Sequence, residues 1–155
     1  MRQTQININL GALKKLTKAC KDTYARVGVL GGGNLRKGDT GVSNYDLAII
    51  HEFGSPKNNI PVRSFLKMPI ETKKNDVLKL AEKNADLLLQ TQDVIGFFKK
   101  LGVEGQRIVQ EAFATGGFGK WAKNKPSTIA AKGSDSPLID TSQLRRSISW
   151  DIKEK

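Results

Sequence analysis

Ser43–Leu66 reads SNYDLAIIHEFGSPKNNIPVRSFL, and its hydrophobic spacing changes once along the way. Ser43 suits a helix N-cap, and Asp46 three residues later makes an imperfect capping box. Leu47, Ile50 and Phe53 then recur at three, the spacing of an inward helix face. Gly54 suits the left-handed position after a helix. Ser55 to Pro61 is a polar turn. Pro61 biases Ile60 towards extended backbone, and Val62 to Leu66 continue extended. A capped helix that gives way to extended chain within one short stretch belongs to a domain mixing helices with strands.

Outward from this stretch the same mixture continues. Upstream, Thr23 to Leu30 is β-branched and apolar and reads as a strand running into Gly31-Gly32-Gly33. Before it, Leu10, Leu13, Leu16, Thr17 and Cys20 mark an amphipathic helix whose outer face carries Lys14, Lys15, Lys18 and Lys21. Ile6, Ile8 and Leu10 alternate with asparagines as a first strand would. Downstream, Pro69 can open a helix that presents Leu78, Ala81, Ala85 and Leu88 on one face. Asp93 can cap another, carrying Phe97, Leu101, Ile108 and Phe113. Gly96, Gly102 and Gly105 are poor helix formers, each costing about 1 kcal/mol relative to Ala. Their spacing makes room for another element to approach. Thr115 to Pro137 is irregular apart from one helical turn at Ser127 to Lys132, stopped by Gly133. Asp140 and Thr141 can cap a turn leading to Leu144. Ile148, Trp150 and Ile152 alternate with polar residues as a final strand. The whole implies one α+β domain over residues 1–155, with a small antiparallel or mixed sheet backed by helices. Its long loops span about 31–42 and 115–137.

Composition narrows the function. The chain has 155 residues, 26 Lys plus Arg and 15 Asp plus Glu, a formal net charge of +11. One cysteine excludes a disulfide scaffold or a Cys-based zinc module, and one histidine excludes a site needing two imidazoles. No apolar run is long enough to span a membrane, and Met1-Arg2-Gln3-Thr4-Gln5 lacks the apolar core of a signal peptide. A reducing, cytosolic setting is expected. The charge points to an acidic partner, with nucleic acid as the first candidate and an uneven, solubilising surface as the plainer explanation.

Catalytic and cofactor motifs fail on spacing. Gly33 and Gly38 have P-loop spacing, but Asp39 stands where the phosphate-binding Lys belongs. Gly31 and Gly33 begin a dinucleotide fingerprint that Arg36 breaks. His51-Glu52 begins a zincin motif, but Ser55 replaces the second His. The carboxylates are scattered. No catalytic residue, cofactor or metal is expected, and Cys20 reads as packing. In Thr115 to Ser134, Lys120, Lys123, Lys125 and Lys132 interleave with Phe118 and Trp121 without an acid. That pattern suits single-stranded nucleic acid. It suits better a solvated loop whose aromatics anchor it to the core or to a neighbouring subunit.

Ser43–Leu66 resembles a pattern in tailed-phage morphogenesis proteins: a short helix ending His-Glu-Phe-Gly, a variable loop, then Ile-Pro-x-Arg-x-Phe-Leu. Val27-Gly28-Val29-Leu30 resembles the strand before it. Trp121, Pro126-Ser127-Thr128-Ile129, Lys132 and Leu138-Ile139-Asp140-Thr141-x-x-Leu144-x-x-Ser147-Ile148 resemble that family's C-terminal signature. Two positions depart: Ser64 stands where Pro is common, and Ser142 where Gly is common. The resemblance implies a tail-completion, tail-terminator or head–tail joining subunit of the virion neck, assembled in the host cytoplasm. It implies a structural, non-enzymatic protein that forms a ring, commonly hexameric, between the head connector or adaptor and the tail tube protein. The alternative is a basic nucleic-acid-binding module without catalytic activity.

On this footing Glu52 and Arg63, of opposite charge across the variable loop, are expected to pair and, with Phe53 and Phe65, to pin the loop base so that the loop projects to a neighbouring subunit. Gly32, Arg36 and Lys37 mark the 31–42 loop as a second interface candidate that orders against a neighbour. Lys120, Trp121, Lys123 and Lys125 are candidates for contact with a partner or, without sequence readout, with genomic DNA in the channel.

Overall fold

The computed structural model describes residues 9–31, 41–138 and 143–155. Helix α1, Leu10–Asp22, starts on Asn9, whose side chain accepts from Ala12 N–H at 2.7 Å, and runs without a loop into strand β1, Thr23–Val29. Leu10 heads this helix; residues 6–8 of the expected first strand lie outside the described residues. Strand β2, Ile148–Glu154, closes the chain and pairs antiparallel with β1, from Thr23 opposite Glu154 to Val29 opposite Ile148. Across the pair, Arg26 grips Asp151 with two bonds, of 2.9 and 2.6 Å. Among the described residues this two-stranded ribbon is the sheet, and helices back it: an α+β fold.

The helices between the strands are α2, Asn44–Phe53; α3, Lys67–Thr72; α4, Lys74–Thr91; α5, Val94–Ala114; α6, Pro126–Lys132; and α7, Gln143–Arg146. The capping box on α2 forms in full, with Ser43 and Asp46 each bonding the other's backbone N–H. Gly54 ends the helix at φ 76°. Pro69 falls within the first turn of α3 and is buried. Asp93 caps α5 by accepting from Gly96 N–H at 2.8 Å, and α6 ends on Gly133 in the left-handed region. Asp140 and Thr141, the expected cap of the next turn, lie outside the described residues.

Helix α5 is the floor on which the sheet rests. A Cβ on Gly102 would stand 2.6 Å from Cε3 of Trp150 on β2, and one on Gly105 would stand 2.8 Å from Cγ2 of Val27 on β1. The glycine spacing therefore does what the sequence suggests, letting both strands sit close on one helix. Beyond the glycines the same helix buries Ile108, Val109, Ala112 and Phe113, which join Phe65, Trp121, Leu144 and Ile148 in the core. Phe113 stands between Phe65 and Trp121, at centroid distances of 5.3 and 5.7 Å.

Two helix faces differ from expectation. On α4, Leu78 and Ala85 are exposed, and the stripe turned towards α5 is Val77, Leu80, Ala81, Asn84 and Leu88. Asn84 sits in that stripe because its polar ends are satisfied: its amide donates to Leu80 O at 2.8 Å and its oxygen accepts from Lys100 at 2.6 Å. On α2, Ala48 is the buried apolar residue and Leu47 and Ile50 are half-buried, while Phe53 is 72% exposed. Phe53 lies on the adjoining, more exposed face, with Tyr45 and Ile49. No helix of the described residues is long and apolar enough to cross a membrane.

Candidate functional site: a clasped frame beside an apolar groove

The stretch from His51 to Leu66 turns back on itself. Ser55 and Ile60 bond through N–H and O at 2.9 and 3.0 Å around the 3-10 turn Pro56–Asn58, and Arg63 N–H donates to His51 O at 2.8 Å. This brings the end of α2 alongside the start of α3. The carboxylate of Glu52 then accepts from the backbone N–H groups of Phe65, Leu66 and Lys67, at 2.9, 3.0 and 3.0 Å, and from the Ser64 hydroxyl at 2.7 Å. These N–H groups at a helix start lack partners within the helix and favour an anion. No side chain at Leu66 caps α3; Glu52 of the preceding helix does so instead. Ser64 completes the arrangement, its oxygen accepting from Met68 N–H at 2.9 Å.

Arg63 points the other way. Its guanidinium donates to Ala122 O at 2.8 Å, Lys123 O at 3.1 Å and Asn124 Oδ1 at 3.2 Å, with the residue only 8% exposed. Burial pulls the group below its ordinary pKa. Asn124 in turn donates to Asp135 O at 3.1 Å, tying both ends of the late loop together. Trp121 donates its indole N–H to Ser64 O at 2.9 Å. Glu52 and Arg63 thus do not pair. The backbone turn points their neighbouring attachment sites in different directions, and each meets backbone groups that need its charge: helix N–H groups for the acid, loop carbonyls for the base.

The expected loop-base residues therefore separate. Glu52, Arg63 and Phe65 build the frame, Phe65 from within the core at 0% exposure, while Phe53 faces outward. Trp121 is 8% exposed and packed edge-on to Phe113, so it anchors the loop and offers no open ring for a base to stack on. Lys120, Lys123 and Lys125 around it are exposed, with Lys120 reaching Thr72 Oγ1 at 3.5 Å and Lys125 reaching Asn59 O at 3.4 Å. Gly32, Arg36 and Lys37 lie outside the described residues.

Two grooves open on the surface, the first bordering this frame and the second away from it. One, of about 580 Å³, lies between β1 and α2, with Val27, Leu30, Tyr45, Ile49 and Phe53 among its walls. Tyr45, Ile49 and Phe53 are 57, 44 and 72% exposed, a continuous apolar ridge on a surface helix. The other, of about 660 Å³, lies between α4, α5 and β2 and gathers Lys83, Lys99 and Lys100 around Val103 and Trp150. Glu104, at its edge, is engaged by Arg107 at 2.7 Å, which holds its carboxyl below the usual carboxylate range.

No family model, curated protein or solved structure matches the chain.

The residues missing from the sequence-based set are Ser64, Asn124, Tyr45 and Ile49. Ser64 and Asn124 gave no signal, because their roles depend on segments far apart in the chain. Tyr45, Ile49 and Phe53 did give one: they recur every four residues on a helix already supplied with another apolar face.

Proposed function

We propose that this chain is a structural subunit of a tailed-phage neck, forming a ring that completes or terminates the tail and joins it to the head connector. The observation that carries the reading is the division of labour in Ser43–Leu66, the stretch that resembles the phage morphogenesis pattern. Its polar residues Glu52, Ser64 and Arg63 are spent on internal hydrogen bonds that hold a frame, while Tyr45, Ile49 and Phe53 are left as an exposed apolar ridge. Contiguous apolar surface of this kind on a small domain favours protein–protein contact. The partners of such a subunit are copies of itself, the connector or adaptor on the head side and the tail tube protein on the other.

Electron microscopy and mass measurement of the purified protein, alone and with its tail tube, test the proposal. Closed rings on the tube end are expected, and a protein that stays dispersed in both conditions overturns it.

A basic nucleic-acid-binding module is the second reading, favoured by the lysines gathered around Trp150 in the α4–α5–β2 groove. Counterion release makes binding to DNA fall steeply with salt, whereas apolar ring contacts persist. A salt series on both kinds of association separates the two readings.

A further inference from the structure

Helix α1 and the β1–α2 groove have complementary needs. Of the thirteen residues of α1 only Leu16 is buried, and Leu10 and Leu13 are 68 and 42% exposed. A helix this short draws its stability mainly from packing of its apolar face, and here that face is half covered. The groove beside α2 has the converse shape, an apolar channel whose ridge residues Tyr45, Ile49 and Phe53 face solvent.

Charge fits as well. Helix α1 carries Lys14, Lys15, Lys18 and Lys21 against Asp22 alone. The groove's rim carries Glu71, 3.9 Å from Lys67, and Asp46 lies exposed on the same helix as the ridge, while Glu52 is held by the start of α3. In a chain of net charge +11, this is an acidic neighbourhood. Neither surface suits a copy of itself: lysines would face lysines, or carboxylates carboxylates. Nor does α1 lie in the groove of its own chain, because it passes without a loop into β1 and its two leucines stand exposed.

We infer that α1 of one copy seats Leu10 and Leu13 in the β1–α2 groove of the next copy, with its lysines over the acidic rim. This is helix-in-groove recognition, used between two different faces of one chain. A heterologous contact of that kind repeats from copy to copy and closes into a ring when the rotation allows. The inference rests on the ring reading above and names its subunit contact.

Two variants of the full chain test it by mass measurement in solution. Leu10→Asp with Leu13→Asp removes the insert and leaves the groove. Ile49→Asp with Phe53→Asp blocks the groove and leaves the insert. All four positions are exposed, so circular dichroism should match the wild type. Each variant alone is expected to lose self-association by at least about tenfold, and an equimolar mixture should give a one-to-one pair that grows no further. A second pair keeps the apolar side chains: Lys14→Glu with Lys18→Glu should weaken association, and mixing with a Glu71→Lys copy should restore it. Self-association of either apolar variant at wild-type strength, or a mixture that forms no pair, overturns the inference, including the case in which the chain's own residues fill the groove. Rings formed equally by the wild type and the Leu10/Leu13 variant overturn this contact and leave the ring reading standing. A wild type that forms no ring with its tail tube overturns both.

Discussion

The indole of Trp150 occupies the space that a Cβ on Gly102 would need, with Cε3 2.6 Å from that position. Trp150 pairs across the sheet with Val27, and Val27 in turn covers Gly105. One helix and both strands are thus registered by two missing side chains.

Replacing Gly102 by Ala sets two effects against each other. Helix propensity gains about 1 kcal/mol, while forcing a methyl group into a packed ring costs about 1–3 kcal/mol. The overlap is with the body of a rigid indole, so the second effect should prevail. Gly102→Ala is expected to lower unfolding free energy by up to about 2 kcal/mol, measured by denaturant unfolding. In a Trp150→Leu background the same change should be neutral or stabilising. A stabilised Gly102→Ala protein with Trp150 intact would show that the sheet does not depend on this approach.

Glu52 and Arg63 make separate clasps, and mutation should tell them apart. Glu52→Gln keeps an acceptor but removes the charge at the start of α3, a loss of about 1–2 kcal/mol. Arg63→Ala abandons two loop carbonyls and Asn124, a loss of about 3 kcal/mol or more, and should expose the 120–137 loop to protease. Arg63→Lys should recover little, because a single ammonium cannot reproduce the fork. Limited proteolysis alongside unfolding curves checks both. Rapid cleavage of that loop in Glu52→Gln, with Arg63→Ala resistant, would reverse the assignments.

Trp121 is placed as an anchor rather than a stacking surface. In a Trp150→Phe background its emission should be blue-shifted and resist quenching by acrylamide, and single-stranded DNA should leave it unchanged. Trp121→Phe leaves Ser64 O without its donor and should cost about 1–3 kcal/mol. Quenching of this indole on adding oligonucleotide would restore the open-ring alternative.

Acid sensitivity follows from the carboxylates that arginines hold. Glu104 sits below its ordinary value of 4.5 through its bond to Arg107, and Asp151 below 3.8 through Arg26. A carboxylate with a depressed folded pKa stabilises fully above its unfolded value and loses that contribution as pH falls towards the folded one. Melting temperature should therefore hold between pH 7 and 5 and decline from about pH 4.5 downwards. Glu104→Gln should lie lower at neutral pH and decline less steeply in acid. A Glu104→Gln protein with an unaltered acid slope would remove this ion pair from the account.

Local rules determined much of this protein from sequence alone. Ser43 with Asp46, Gly54, Asp93 and Gly133 each set a helix end through bonds or backbone angles reaching no further than a few residues, so α2, α5 and α6 were legible before any tertiary structure. The alternation in Ile148–Ile152 and the glycines of α5 likewise announced a strand and a close approach. Tertiary structure decided what those elements meet. The face of α4 turned to α5 includes Asn84, whose partner Lys100 sits on that other helix. Glu52 and Arg63 looked like partners because opposite charges flank one loop, yet each was claimed by backbone groups that only the fold delivers: helix N–H groups for one, carbonyls some sixty residues away for the other. Periodicity registers which residues are apolar but not which of two apolar helix faces a domain buries. The burial of Ala48 and the exposure of Phe53 therefore came from packing alone.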